Sequence, residues 1–389
     1  MSTSLRHSAA PSLALFLAGA VAFGQHYTQT NLVANTATPG VPNADSSLVN
    51  PWGISRGSGT PWWISDNATG LSTLYNGSGT KLSLTVTIPA AKTGATGSPT
   101  GTIFNGSKTD FLLPGGAAAL FLFSTIDGQI IGWNGSAGAV PKVIIKDGSS
   151  YTGLTSATVK GQRYLYAANF TKGRVDVYDT SFQPVNFGKE HTGWGEGFFD
   201  RNDDPFTDRW LPWNFVPFNV QAIGDAIVVT YALHEDDNPF ETDGPGLGYV
   251  DVYTADGRLV QRLEHGDWLN APWGVALAPL DFGLYSHDLL IGQFAGGGTT
   301  ESSGYIAAYD LASGKFVGLL EDASGNPISI NGLWGLSFGN SANSSGNNYD
   351  SAGAPGAELY FTAGPNHGSG GLFGFLAPAS ADLIEGNDQ

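Results

Sequence analysis

The chain is predicted to be an all-β protein, a six-bladed β-propeller whose ring is closed by an N-terminal strand that completes the last blade. Three observations carry that prediction. A six-copy internal repeat runs through the sequence, a second motif stands upstream of most copies, and an unpaired strand-like segment precedes the first copy. In the repeat a glycine is followed five residues later by an aromatic side chain: Gly70/Tyr75, Gly128/Trp133, Gly173/Tyr178, Gly248/Tyr253, Gly304/Tyr309 and Gly370/Phe375. Five of the six aromatics are followed at once by Asn, Asp or Thr, whose short polar side chains bond the local backbone and favour a turn. The copies lie about 45 to 75 residues apart, a spacing that marks solenoids and propellers.

The second motif decides between those two. It reads Asn50-Pro51-Trp52-Gly53-Ile54 before the first copy and Pro217-Phe218-Asn219-Val220 before the fourth. Before the fifth it is Ala271-Pro272-Trp273-Gly274-Val275, and before the last Gly332-Leu333-Trp334-Gly335-Leu336. Between the motifs sit short apolar runs at 62–65, 120–124, 164–168, 226–231, 288–292 and 358–362. They are rich in aromatic or β-branched residues and bounded by Gly, Asn and Asp, which suits strands. Each unit therefore offers three strands, a fourth follows in several units (81–88 and 258–263 most clearly), and four antiparallel strands make a blade. The last unit supplies only three. The unpaired segment at 27–34 is expected to be its outer strand, leaving no open edge there.

The expected organisation is a signal peptide at 1–24, a propeller over 25–378 with insertions near 182–216 and 234–247, and a flexible tail at 379–389. Arg6, the apolar stretch at 13–23, and the small Ala22 and Gly24 carry the signal-peptide reading. Export to the periplasm or the extracellular space follows, with no membrane span after cleavage. The sequence holds no cysteine, which excludes a disulfide scaffold, thiol catalysis and a Cys-ligated metal. Its net charge of −17 makes nucleic acid a poor partner, because phosphate binding needs concentrated Lys and Arg.

In such a ring one rim collects the starts of the inner strands and the ends of the second strands. That places Asn50, Asn219, Asn270 and Asn331 with Asp66, Asn67, Asn169, His234, Glu235, Asp236, Asn366 and His367. Carboxylate and amide oxygens suit a hard cation such as calcium, and Asp66, Asn169 and Asp236 are its candidate ligands; the plainer reading is that Asn and Asp serve the turns. Asp200, Asn202 and Asp204 alternate like the opening of a calcium loop, but Pro205 stands where the sharp turn needs Gly, and Leu211 where a bidentate Glu is expected. The acidic run at 234–243 reads as a metal clamp or as a solvated loop. Gly335-Leu336-Ser337-Phe338-Gly339 matches the serine-hydrolase pattern but falls within an expected inner strand, not on a strand-to-helix elbow.

These residues resemble a family of uncharacterised exported bacterial proteins with a propeller related to the NHL repeat. The resemblance runs through Asn50-Pro51-Trp52-Gly53, Ser65-Asp66-Asn67-Ala68-Thr69-Gly70, Ala167-Ala168-Asn169-Phe170, Pro217-Phe218-Asn219-Val220, Ala271-Pro272-Trp273-Gly274 and Tyr360-Phe361-Thr362-Ala363-Gly364-Pro365. It implies a secreted propeller and no assigned catalytic residue. The leading functional expectation is a monomeric binding or interaction module that takes a small molecule, a glycan or an extracellular protein at its polar rim. Two alternatives stand beside it: a calcium-dependent lactonase-like hydrolase, with Glu235 or a His as general base, and a structural component of an envelope or matrix.

Overall fold

The structure, a computed structural model, describes residues 26–57, 59–135, 138–189, 204–235, 238–294, 304–339 and 358–379. They form six antiparallel blades. Blade 1 is Pro51–Ser55, Trp62–Asp66, Leu71–Tyr75 and Lys81–Thr87. Blade 2 is Pro99–Phe104, Phe121–Thr125, Gln129–Trp133 and Val140–Ile144. Blade 3 is Tyr151–Val159, Gln162–Asn169, Arg174–Asp179 and Pro184–Val185. Blade 4 is Phe215–Ile223, Ala226–His234, Gly248–Thr254 and Leu259–Arg262, with Glu241–Thr242 paired beside the second strand. Blade 5 is Pro272–Leu277, Leu289–Gln293, Ile306–Tyr309 and Phe316–Leu319. Blade 6 is Leu333–Gly339, Glu358–Ala363 and Leu372–Pro378.

The N-terminal strand Tyr27–Ala34 pairs antiparallel with Leu372–Pro378, from Tyr27 opposite Pro378 to Ala34 opposite Leu372. It is the outer strand of blade 6, as the sequence predicts. A short strand, Asn43–Ala44, adds outside it in parallel. Each inner strand contacts the next, and that of blade 6 returns to that of blade 1. The ring is therefore closed.

Turn chemistry explains the repeat. The polar residue after the aromatic folds the chain back on itself in blades 1, 3 and 4: Asn76 Oδ1 accepts from the backbone of Ser78 and Thr80, Asp179 Oδ1 from Ser181 and Gln183, and Thr254 Oγ1 from Arg258. The inner strands carry the second motif, which the structure extends to all six blades. Its third position is Gly53, Gly101, Gly153, Asn219, Gly274 and Gly335. A Cβ on Gly101 would lie 2.4 Å from the backbone nitrogen of Leu154, and one on Gly53 2.4 Å from the Thr100 carbonyl. These glycines let neighbouring inner strands approach backbone to backbone. Ser337 sits within the last inner strand, opposite Tyr360, and not on an exposed elbow.

Apolar residues on the two faces of each blade form a separate cluster at each of the six blade interfaces, and a seventh cluster fills the centre. Among the described residues no helix is long and apolar enough to cross a membrane.

Candidate functional site

The second motif position converges on the ring axis, and there the repeat places Trp52, Phe218, Trp273 and Trp334. Trp52 stacks on Trp334 with ring centroids 3.7 Å apart, and Trp273 meets both edge-on at 6.1 and 5.7 Å. Phe218 packs against Trp52 and Trp334 at 6.4 and 5.9 Å. Two of the indole N–H groups are satisfied: Trp334 Nε1 donates to Asn50 Oδ1 at 3.0 Å and Trp273 Nε1 to the Thr152 carbonyl at 3.0 Å. This aromatic lid closes the channel on the face where the inner strands begin. Beneath it, among Gly53, Gly101, Asn219, Gln221 and Gly335, remains a cavity of ≈ 20 Å³, room for about one water.

The predicted rim residues separate into three settings. Asn219 occupies the glycine position of blade 4, so its side chain enters the channel: Nδ2 donates to the Trp273 carbonyl at 2.7 Å, and Gly153 lies against Oδ1. It is buried, as are Asn169 and Asn270. Asn270 accepts from the Gly244 backbone through Oδ1. Around the lid, half-buried or exposed, stand Asn50, Asn67, His234, Glu235, Asn331, Asn366 and His367. Several are tied to one another: Asn50 Nδ2 donates to Asn67 Oδ1 at 3.4 Å, Asn67 Nδ2 to the Pro99 carbonyl at 3.1 Å, and the Asn366 backbone N–H to Asn331 Oδ1 at 3.0 Å. His234 lies against Phe170 at 4.7 Å. The half-buried Phe294, which the sequence does not single out, stacks on Trp334 at 4.0 Å.

Asp66 belongs to the third setting. Strand alternation puts it on the same face as Ile64 and Trp62, which pack against Tyr360 and Phe373 of blade 6. It lies between blades 6 and 1, away from the rim. Its carboxylate is fully buried beside Thr73, and neither oxygen meets a donor in good hydrogen-bond geometry. Burial, with a push from Asp45, raises its pKa well above the carboxylate range. Asp204 is exposed on the insertion. Asp200, Asn202 and Asp236 lie outside the described residues.

Other buried or half-buried acids escape the sequence reading. Asp45 accepts from the Tyr75 hydroxyl at 2.6 Å and pairs with Lys81 at 2.7 Å. Asp176 Oδ2 accepts from Tyr151 at 2.8 Å and from Asn169 Nδ2 at 2.7 Å. Asp251 Oδ2 accepts from Tyr253, whose hydroxyl also bonds that of Tyr231. Asp208 holds Arg262 through both carboxylate oxygens. Each acid anchors a tyrosine or an arginine, so these groups lock the structure together. Among the described residues no three His, Asp or Glu side chains converge to hold a metal.

On the lid face Asn50 and Ala271 take left-handed φ of 48° and 45°, and a longer left-handed run lies beside them. Asn366, His367 and Gly368 take φ of 55°, 56° and 75°, a left-handed run that costs roughly 1–2 kcal/mol for each residue bearing a Cβ. The substitution His367→Gly relieves that strain at the cost of a looser unfolded chain, and is expected to stabilise by roughly 0.5 kcal/mol net, read as a higher urea midpoint at unchanged slope. An unchanged or lower midpoint would show that the imidazole makes a compensating contact.

The fold and its sealed channel define a closed six-bladed propeller. No family model matches the chain. The uncharacterized protein R640 of Acanthamoeba polyphaga mimivirus is 31% identical over 222 residues, 57% of this chain and 38% of R640. The chain thus spans little more than a third of that relative's length. The uncharacterized protein R648 of the same virus is 27% identical over 315 residues, 79% of this chain and 72% of R648. Among solved structures, the soluble aldose sugar dehydrogenase of Escherichia coli in its apo form superposes with a TM-score of 0.50 at 11% identity, covering 91% of this chain and 100% of that one. That likeness concerns the fold alone. Together the comparisons show similarity to uncharacterized viral proteins and, in the solved structure, a shared fold. The relatives are viral, so the bacterial origin implied by the resemblance is not supported.

Proposed function

We propose that the chain is an exported binding or interaction module that takes a neutral, hydroxyl-rich ligand such as a glycan on its lid face. One observation carries the reading: the aromatic lid and the ≈ 20 Å³ cavity beneath it leave no room for a substrate inside the ring. What the face offers is a half-buried ring, Phe294, amid the amides of Asn50, Asn67 and Asn331 and the side chains of His234 and His367. Aromatic surface beside amide and imidazole groups matches the apolar ring face and hydroxyl edges of a sugar. A calcium lactonase, by contrast, needs an open site with converging oxygen donors.

The test screens the full chain for binding to a panel of soluble glycans and for lactone hydrolysis, each with calcium and then with chelator. The expected results are glycan binding that Phe294→Ala weakens tenfold or more, no lactone turnover, and a melting temperature that calcium does not move. Turnover proportional to protein concentration would overturn the reading, and so would a calcium-dependent rise of several degrees, which reports a site specific to the native state.

A further inference from the structure

On the face opposite the lid, a cleft of ≈ 310 Å³ opens between blades 1 and 2. Its geometry follows from strand alternation. Leu82, Leu84 and Val86 share one face of the outer strand of blade 1. Val86 is buried in the blade 1/2 core with Trp63 and Leu74, but Leu82 and Leu84 extend past it and remain 36% and 39% exposed. Across the gap stand Phe104, Phe121, Trp133 and the 45%-exposed Leu120. Three of the large apolar side chains that the described surface exposes thus line one concavity, of the size and character of a small-molecule site.

Two features narrow the ligand. No charged side chain lines the cleft; its polar side chains are those of Thr60 and Ser83 beside the indoles of Trp63 and Trp133. Trp63 is 3% exposed, stacked on Phe121 at 4.1 Å, and its Nε1 has no hydrogen-bond acceptor. A buried donor without a partner carries an unmet desolvation cost that an incoming acceptor would relieve.

We propose that the cleft between blades 1 and 2 binds a small, flat, uncharged molecule carrying a hydrogen-bond acceptor, which the Trp63 indole N–H engages while Leu82, Leu84 and Leu120 cover its apolar faces. This site is separate from the lid face and does not rest on the glycan reading. A flat ligand suits the aromatic side chains that line the cleft, and neutrality follows from the absence of a charged side chain among them.

Acetophenone and ethylbenzene are probes of nearly equal shape, with and without an acceptor. Titrated into the full chain and followed by indole N–H resonances, acetophenone is expected to shift the Trp63 signal, which is assigned by its loss in Trp63→Phe. That variant keeps an aromatic ring and removes the donor. It should weaken acetophenone about fivefold, the scale of one neutral hydrogen bond, and change ethylbenzene less than twofold. Leu84→Asp, at an exposed position that the fold tolerates, should weaken both probes tenfold or more. The proposal is overturned if neither probe binds the wild-type chain at millimolar concentration, if Leu84→Asp leaves acetophenone binding intact, or if Trp63→Phe weakens both probes equally. Self-association of the wild-type chain that Leu84→Asp abolishes would assign the cleft to a second copy and overturn it as well.

Discussion

Between pH 4 and pH 8 the folded chain is expected to lose stability steadily, and Asp251→Asn to remove the part of that loss that Asp251 contributes, since burial raises Asp66 and Glu241 as well. The Asp251 carboxyl is pushed up to about 8, first by burial and then by the neighbouring Asp208 carboxylate. Asp208 itself is held below the usual carboxylate range: burial works to raise it, but the Arg262 hydrogen bonds and charge outweigh that. In the unfolded chain Asp251 ionises near its ordinary value of 3.8. Across this window the native state therefore binds a proton that the unfolded state has released. Stability is fully present below pH 4 and declines as pH rises towards 8, by an amount on the order of 4 kcal/mol. Asp66 contributes with the same sign, because burial raises its pKa as well. An asparagine at 251 reproduces the protonated acid. Its amide can donate towards Asp208, and its oxygen can accept from Tyr253, as Asp251 Oδ2 does at 3.2 Å. Urea midpoints at pH 4.5, 6 and 8.5 provide the check. The variant should match the wild type at the lowest pH and exceed it at the highest; parallel curves would mean that Asp251 is ionised in the fold.

The architecture was legible in the sequence because its determinants are local. A glycine, four strand residues and an aromatic, in five copies followed by a turn-forming side chain, recur whatever the blade packs against, and the strand at Tyr27–Ala34 stood out as the one segment without a partner. Blades 2 and 3 were harder to see, because the second motif loses its aromatic there. Thr100 and Thr152 stand where the other blades place Trp or Phe, leaving only Gly101 and Gly153 as the trace. The site was less legible, since side-chain direction depends on register. Asn219 reads as a rim amide until its alignment with the motif glycines is seen, which turns it into the channel. Asp66 reads as a ligand until alternation puts it between two blades. Asp176 and Asp251 did leave a signal. Each sits between two valines, Val175-Asp176-Val177 and Val250-Asp251-Val252, at the repeat position that holds Ile131, Ala307 or Phe373 elsewhere. An acid in an inward apolar position implies a buried partner. Asp208 left none, because it reaches Arg262 from 54 positions away in sequence, a contact that only the folded insertion creates.

Replacing Trp334 with alanine should cost about 4 kcal/mol, the largest single effect expected in the molecule. The ring is 1% exposed and is the hub of the lid, stacked on Trp52 at 3.7 Å and on Phe294 at 4.0 Å with Trp273 and Phe218 against its edges. Its loss removes packing from four aromatic neighbours and leaves Asn50 Oδ1 without the Nε1 donor it accepts from. The vacated volume is walled by Trp52, Trp273, Phe218 and Phe294 with the Asn50 amide at its edge, a shape and donor–acceptor match for an indole added from solution. Indole at millimolar concentration should therefore restore part of the lost stability in Trp334→Ala and have no effect on the wild type. Trp334→Phe, which keeps a stacked ring but lacks the donor, should fall about midway. If the alanine variant lost less than about 1 kcal/mol and indole left its unfolding midpoint unmoved, the four rings would not form one packed unit. The channel would then be open to solvent, and the case for a ligand outside the ring would lose its main support.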